Sequence, residues 1–489
     1  MALVAGLDLG GGNVKACVVE CDTGAVLALA EQATETLHPG PGRAEFDPAG
    51  WWLSATQAMR AAVARAGRPG IDYGAVTVTS LRQGYVLLGA ESEIGPGVVN
   101  ADRRGATQLE RLAEVVGPER LYEVTGHWSA PQLTLPKLLE EQRATPGRWD
   151  RVETILFVHD WAIWRMCGER SSEPSIASAG QLLDVGQRTW ATGLLADLGL
   201  DPGLLPPLVD AGTTIGRLRA DDLGLPLDLP VVVGGGDTQM AAAGAGGLAD
   251  GAVSVVAGTT TPVQASTSQP AWDPERHPWV SAHLVPGRWA AETNAGYPGL
   301  NLDWLAAVTG SSVADLADEA AGCEAGAGGV TAVVAAGTWS EEAWSSRSPN
   351  VLVGFEPRHG RAHLARAFIE AHAYAIRSNL EDLERAIGRT SSRVSLLGGA
   401  ARSPAFTQLV ADVTGRAIGQ VDSAYPAGRA FAWLASLALE GGADPPVFAG
   451  RTVEPSGGEP SGSGVHEEGY LRFLAAGETV RSGLAGWMP

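Results

Sequence analysis

Leu3-Val4-Ala5-Gly6-Leu7-Asp8-Leu9-Gly10-Gly11-Gly12-Asn13-Val14-Lys15 reads as an apolar strand that carries an aspartate to its end, a glycine turn, and the start of a second strand. The second strand runs from Val14 to Val19, Cys21-Asp22-Thr23-Gly24 turns the chain, and Ala25 to Ala30 completes a hairpin. Glycines at a strand end let backbone approach a ligand closely. Asp8 is hard to justify as core filler, because an unpaired charge in a buried strand is costly.

Working outward, the same order of elements returns near position 250. Ala252 to Ala257 is apolar, Gly258-Thr259-Thr260-Thr261 is a turn, and Val263 to Ala265 resumes a strand. The two copies share little identity, yet each opens one half of the chain, which predicts a duplicated fold. Between them strands alternate with helices, the pattern of α/β layers. Asp47-Pro48 before Trp51 to Ala66 is a helix start with Asp as N-cap and Pro at the first helical position. Trp52, Ala55, Met59 and Ala62 form its apolar stripe. Pro230 to Val233 is a short buried strand running into Gly234-Gly235-Gly236-Asp237, and Val394 to Leu397 ends in Gly398-Gly399 before a helix from about Pro404. Val453 to Gly464, rich in Gly, Ser, Pro and Glu, is expected to be a surface loop.

The chain's 489 residues exceed one typical domain, and 45 % hydrophobic with 18 % charged residues describes a globular protein. A net charge of −20 with no basic stripe argues against nucleic acid as a partner. Four scattered cysteines without CxxC spacing are neither a disulfide framework nor a zinc site. No signal-like start and no run of 18 apolar residues is present, so no membrane partner and a cytoplasmic location are expected.

Four glycine-marked strand ends therefore stand out: Asp8 to Lys15, Gly234 to Gln239, Gly258 to Thr261 and Gly398 to Ser403. Each alone is common structural punctuation. Together they suit a nucleotide cleft, because phosphates need backbone N–H groups and hydroxyls converging without bulky side chains between them. Neither a Walker A sequence nor a GxGxxG opening a helix occurs, which removes the P-loop and Rossmann alternatives.

The chain resembles, end to end, the FGGY carbohydrate kinases of the actin-like ATPase superfamily. Asp8-Leu9-Gly10 with Lys15 is similar to the first phosphate motif, Ala257-Gly258-Thr259-Thr260 to the second, and Leu397-Gly398-Gly399-Ala400 to the adenosine motif. Thr125-Gly126 with Pro136-Lys137-Leu138-Leu139 resembles one family signature; Gly354-Phe355 with His363-Leu364-Ala365-Arg366-Ala367 and Glu370 resembles the other. Ser80-Leu81-Arg82-Gln83-Gly84, Asn100-Ala101-Asp102-Arg103 and His159-Asp160-Trp161 look most like the autoinducer-2 kinase branch. Xylulokinases usually carry Met-His-Gly where Arg82-Gln83-Gly84 stands. Glycerol kinases carry Arg-Glu there and a Trp at the place of Asn100.

The resemblance implies two actin-like (ribonuclease H-like) ATPase domains of α/β class, over 1–245 and 246–489, with a cleft between them. It implies ATP and Mg²⁺ as cofactors, a small polyhydroxy acceptor, and Asp237 as the general base. Arg82, Gln83, Asn100 and Asp102 are the implied acceptor contacts beside Asp237. Asp102 and Arg103 serve equally well as an ion pair within the domain. Gly10, Gly11, Asn13, Lys15, Gly258, Thr259, Thr260, Gly398, Gly399 and Ser403 are the implied ATP contacts, and Asp8 the metal partner. From position alone Asp237 reads as a helix N-cap. Gly11 replaces the family's usual Thr or Ser, which raises the alternative of a catalytically weak sugar- or nucleotide-binding regulator. A further rival is a motor- or chaperone-like ATPase, against which the two signatures count. The branch suggests a linear polyhydroxy ketone as acceptor, with xylulose or a cyclitol as alternatives and a homodimer left open.

Overall fold

The computed structural model describes residues 2–68, 70–258, 260–334, 350–421, 425–456 and 464–483. Thr259 lies outside the described residues, as does the middle of the glycine- and serine-rich stretch, 457–463.

The opening stretch folds as its pattern predicts. Leu3–Leu9 pairs antiparallel with Asn13–Glu20, setting Asp8 opposite Lys15, and Asn13–Glu20 pairs with Val26–Ala33. The edge of this meander continues through parallel partners: Tyr73–Ser80 lies beside Leu3–Leu9, and Pro230–Gly236 beside Tyr73–Ser80. Thr214–Arg217 closes the six-stranded sheet. Helix Pro48–Ala66 covers one face with Trp51, Trp52, Ala55 and Met59, its start capped by Asp47, whose carboxylate accepts from Ala49 N and Gly50 N.

The second half repeats the scheme. Trp289–Asn294, Pro262–Thr267 and Val253–Val256 form the antiparallel meander, Arg393–Leu397 and Ala417–Val421 add in parallel, and Trp279–Ala282 and Gly450–Val453 form the edges. The 27-residue helix Arg361–Ile387 packs on this sheet. A smaller four-stranded sheet made of Glu45–Phe46, Gly97–Val98, Tyr85–Leu88 and Thr154–Phe157 carries the loops that follow Ser80.

One element crosses between the halves. Helix Ala427–Glu440 belongs to the second half in sequence but packs under the first sheet, where Phe431 and Leu434 meet Val4, Cys17, Ala75 and Val232. The fit is close: a β-carbon on Gly244 would fall on the Pro426 carbonyl. Among the described residues no helix is long and apolar enough to cross a membrane.

Candidate active site

Parallel pairing decides where the chemistry collects. Leu3–Leu9, Tyr73–Ser80 and Pro230–Gly236 run the same way, with Asp8 level with Thr79 and Gly236 level with Ser80. Their C-terminal ends, the usual ligand edge of such sheets, therefore bring Asp8, Arg82 and Asp237 to one place.

Two of the three glycines before Asp237 are dictated by packing. A β-carbon on Gly234 would collide with the Val78 carbonyl, and one on Gly235 with the Leu284 side chain. Helix Asp237–Gly244 begins directly afterwards. Its N-cap is Gly236 (φ −65°, ψ 138°), so the expectation of an Asp237 N-cap is corrected: Asp237 is the first helical residue. Its Oδ1 accepts from Thr238 N at 2.7 Å and Thr238 Oγ1 at 3.2 Å. The side chain is 42 % exposed. Confinement raises its pKa above the usual carboxylate range, while Arg82, with Nε 3.6 Å away, pulls the other way.

Asp8 accepts from the Tyr425 hydroxyl at 3.1 Å. Burial pushes its carboxyl up to about 6; Lys15 opposes that shift and the Asp237 charge adds to it. Two mutually repelling carboxylates at one strand edge suit a bound cation. Mg²⁺ commonly takes only one or two carboxylates, with phosphates and water completing its shell. No cluster of three or more acidic, His or Cys ligands occurs among the described residues, so these residues fit a metal held together with nucleotide rather than by a protein cage.

At the first turn Gly10 N donates to Asn13 O at 3.0 Å. Asn13 itself donates to Glu31 Oε2 at 3.1 Å, turning its amide onto the neighbouring strand. None of Gly10, Gly11 and Gly12 has a positive φ. A β-carbon at Gly11 would meet only Asn100 Oδ1 at 3.7 Å and Leu81 Cδ2 at 3.9 Å, ordinary contact distances. Gly11→Thr is therefore expected to fold normally and to leave kcat unchanged or raise it by less than about tenfold, since one neutral hydrogen bond contributes about 0.5–1.5 kcal/mol. Steady-state kinetics in ATP checks this, and a complete loss of activity would contradict it.

The loops that carry the expected acceptor contacts are held from below. Gln83 sits at φ 64°, and its carbonyl accepts from Lys137 Nζ at 2.7 Å and Thr134 Oγ1 at 3.0 Å. Lys137 Nζ also donates to Val99 O at 3.1 Å, so one buried amine ties the Arg82-Gln83 loop to the Val99-Asn100 loop. Burial lowers its pKa to about 7. Ser129 Oγ and both amide atoms of Gln132, in the adjoining loop, are buried without a protein partner.

One expected acceptor contact is placed otherwise, and a second is already engaged. Asp102 is fully buried and accepts from Ala44 N, Arg104 N and the Arg104 guanidinium at 2.7–2.9 Å. Arg104 in turn reaches Glu45 and Glu141, so Asp102 is corrected from an acceptor contact to the other reading given for it, an ion pair within the domain, here with Arg104. Arg82 does stand at the site, but its two terminal nitrogens grip Glu292 at 2.8 and 3.0 Å.

Glu292 lies on Trp289–Asn294 of the second sheet and is 3 % exposed. Sequence reasoning missed it, along with Gln264 behind it and Tyr425. The available signal was a lone carboxylate in a strand of alanines, Ala290-Ala291-Glu292, where a buried charge demands a partner.

The remaining expected residues gather in the second half. Gly258, Gly399 and Ser403 line a cleft of about 500 Å³ whose walls are otherwise mostly apolar, including Leu302, Val313, Ile369, Phe406 and Leu409. Gly398 has φ 89°, and a β-carbon there would meet Ala257 backbone at 2.5 Å, while Gly399 has nothing within 4 Å of that position. Ala400 N donates to Ala257 O at 3.2 Å, joining this turn to the one at Gly258. Thr260 closes the Gly258 turn through its carbonyl at 3.1 Å. Ser403 caps helix Pro404–Thr414 by accepting from Phe406 N.

Comparison with known proteins agrees with this geometry. Residues 3–244 match the N-terminal domain of the FGGY family of carbohydrate kinases, and residues 253–437 match its C-terminal domain. Sugar kinase YoaC of Bacillus subtilis is 32 % identical over 431 residues, 83 % of each chain. Autoinducer-2 kinase of Yersinia enterocolitica is 29 % identical over 430 residues, 84 % of this chain and 81 % of that one. Xylulose kinase from Rhodospirillum rubrum superposes with a TM-score of 0.83 at 27 % identity, covering 98 % of this chain and 99 % of that one. With both of its halves matched and its cleft built as described, the chain belongs to the FGGY family of carbohydrate kinases, enzymes of ATP-dependent sugar phosphorylation.

Proposed function

We propose that this kinase phosphorylates a hydroxyl of a linear polyhydroxy ketone of the autoinducer-2 type, with Asp237 as general base and the domains divided near residue 245. The observation that carries the mechanism is the Asp237 carboxylate, presented past three glycines, partly exposed and beside Arg82. The acceptor oxygen attacks the γ-phosphorus of ATP, the bond to the β-phosphate oxygen breaks, and ADP leaves. The hydroxyl proton passes to Asp237, whose raised pKa makes it a stronger base than a surface carboxylate. Backbone amides at the Gly10 and Gly258 turns are the donors for phosphate oxygens. Adenosine occupies the apolar cleft beside Gly399. Mg²⁺, partnered by Asp8, would offset phosphate charge when bound. Domain closure excludes water, so that transfer outruns hydrolysis. A soluble cytoplasmic enzyme drawing on cellular ATP fits this role.

The acceptor assignment rests on Arg82-Gln83 and Asn100, which depart from the xylulokinase and glycerol kinase patterns, and on the relatedness to autoinducer-2 kinase. Poor turnover of xylulose and glycerol is expected. A coupled ADP-release assay over ketoses, polyols, cyclitols and a dihydroxy-pentanedione tests it. Turnover of xylulose at kcat/KM near ~10⁴ M⁻¹s⁻¹ or better would overturn the assignment.

A further inference from the structure

Arg82 offers a planar fork beside Asp237, the geometry that recognises a carboxylate with two parallel hydrogen bonds. In this chain the fork already holds a carboxylate of the protein. Glu292 takes both terminal nitrogens at 2.8 and 3.0 Å, and Gln264 Nε2 donates to Glu292 Oε2 at 2.9 Å from behind. The partners come from different sheets: Arg82 follows Tyr73–Ser80, and Glu292 lies in Trp289–Asn294. Together Arg82, Glu292 and Asp237 carry one positive and two negative charges.

We propose that Glu292 is a positioning residue that sets the charge class of the acceptor. By occupying the Arg82 fork it leaves a site for uncharged polyhydroxy compounds and turns away sugar acids. An aldonate that competed for Arg82 would leave Glu292, 3 % exposed, as a buried charge without its partner, and would also face Asp237. Selection then works through repulsion built into the site rather than through a contact to the favoured acceptor. This inference rests on the acceptor site lying beside Asp237, as proposed above.

Calorimetric titration of the full-length protein, saturated with a non-hydrolysable ATP analogue, compares glucitol with gluconate and xylitol with xylonate. The wild-type protein is expected to bind each aldonate more weakly than its polyol. Glu292→Gln keeps the shape and frees the guanidinium, so its aldonate affinity should rise by about tenfold or more. Adding Arg82→Met should abolish that gain, which a merely structural role for Glu292 would not predict. Unchanged nucleotide binding and a cooperative thermal transition serve as the folding control. If Glu292→Gln does not fold, the wild-type preference alone decides. Equal wild-type affinity for polyol and aldonate overturns the inference, as does a folded Glu292→Gln without the gain, or a gain that survives the loss of Arg82. Should charge selection hold while no acceptor in the panel is phosphorylated, the assigned acceptor falls and the role of Glu292 stands.

Discussion

Replacing Asp237 by Asn is expected to lower kcat by ~10²–10⁴-fold, the range of a general-base contribution, with ATP affinity unchanged. Asn preserves the size of the side chain, and its amide oxygen can still accept from Thr238 N, the bond Asp237 Oδ1 makes at 2.7 Å. What disappears is the lone pair that takes the acceptor's proton and the charge facing Arg82 at 3.6 Å. The proton moves only during reaction, so the loss should fall on kcat rather than on KM. The N-cap at this helix is Gly236, so a purely capping role for residue 237 has no backbone basis and would predict only a few-fold change. Measuring kcat together with a nucleotide-binding titration on one preparation decides the matter. A kcat held within about threefold would remove Asp237 as the base, and the mechanism with it.

A second large effect is expected from one methyl group. Gly234→Ala would place its β-carbon on the Val78 carbonyl, in the neighbouring strand Tyr73–Ser80. Backbone cannot yield there without breaking the parallel pairing that aligns Gly236 with Ser80. A destabilisation of about 3 kcal/mol, the upper end for overpacking, is expected, along with a fall in kcat because Asp237 lies three residues on. Gly399→Ala makes the contrast. Its β-carbon meets nothing within 4 Å, Gly399 lines the cleft proposed for the nucleotide, and the backbone is already in the right-handed region at φ −63°, ψ −43°. Stability should stay within about 0.5 kcal/mol while KM for ATP rises. Urea midpoints and ATP kinetics on the two variants check the pair; a stable, fully active Gly234→Ala would refute the packing argument.

These two glycines mark how far the sequence could be read. Both were visible as strand-end punctuation, and the strand–turn–hairpin at Leu3, its second copy near Ala252 and the Asp47 cap all followed from local rules: period-two apolarity, turn chemistry and capping preference. The reason for each glycine was not visible, because Gly234 clears a neighbouring strand and Gly399 lines a cleft, and neither neighbour is written in the local sequence. Partnership over distance was likewise hidden. Arg82 and Glu292 are 210 positions apart, and Asp8 and Tyr425 are 417 apart, so no spacing rule connects them. The resemblance left Asp102 between an acceptor contact and an ion pair within the domain, and its carboxylate turns inward to Arg104. Adjacency in sequence does not say which way a side chain faces once the backbone leaves regular structure.

The crossing helix Ala427–Glu440 has a consequence for how the protein is made. The underside of the first sheet, with Val4, Cys17, Ala75 and Val232, is complete as a set of strands once Pro230–Gly236 has left the ribosome, but the residues that cover it come about two hundred positions later. At ~5–20 residues per second that interval is roughly 10–40 s. Throughout it Met240 and Ala243 of the following helix cover part of that face, and the rest waits for Phe431 and Leu434. The first half is thus expected to complete its native packing only when translation nears its end.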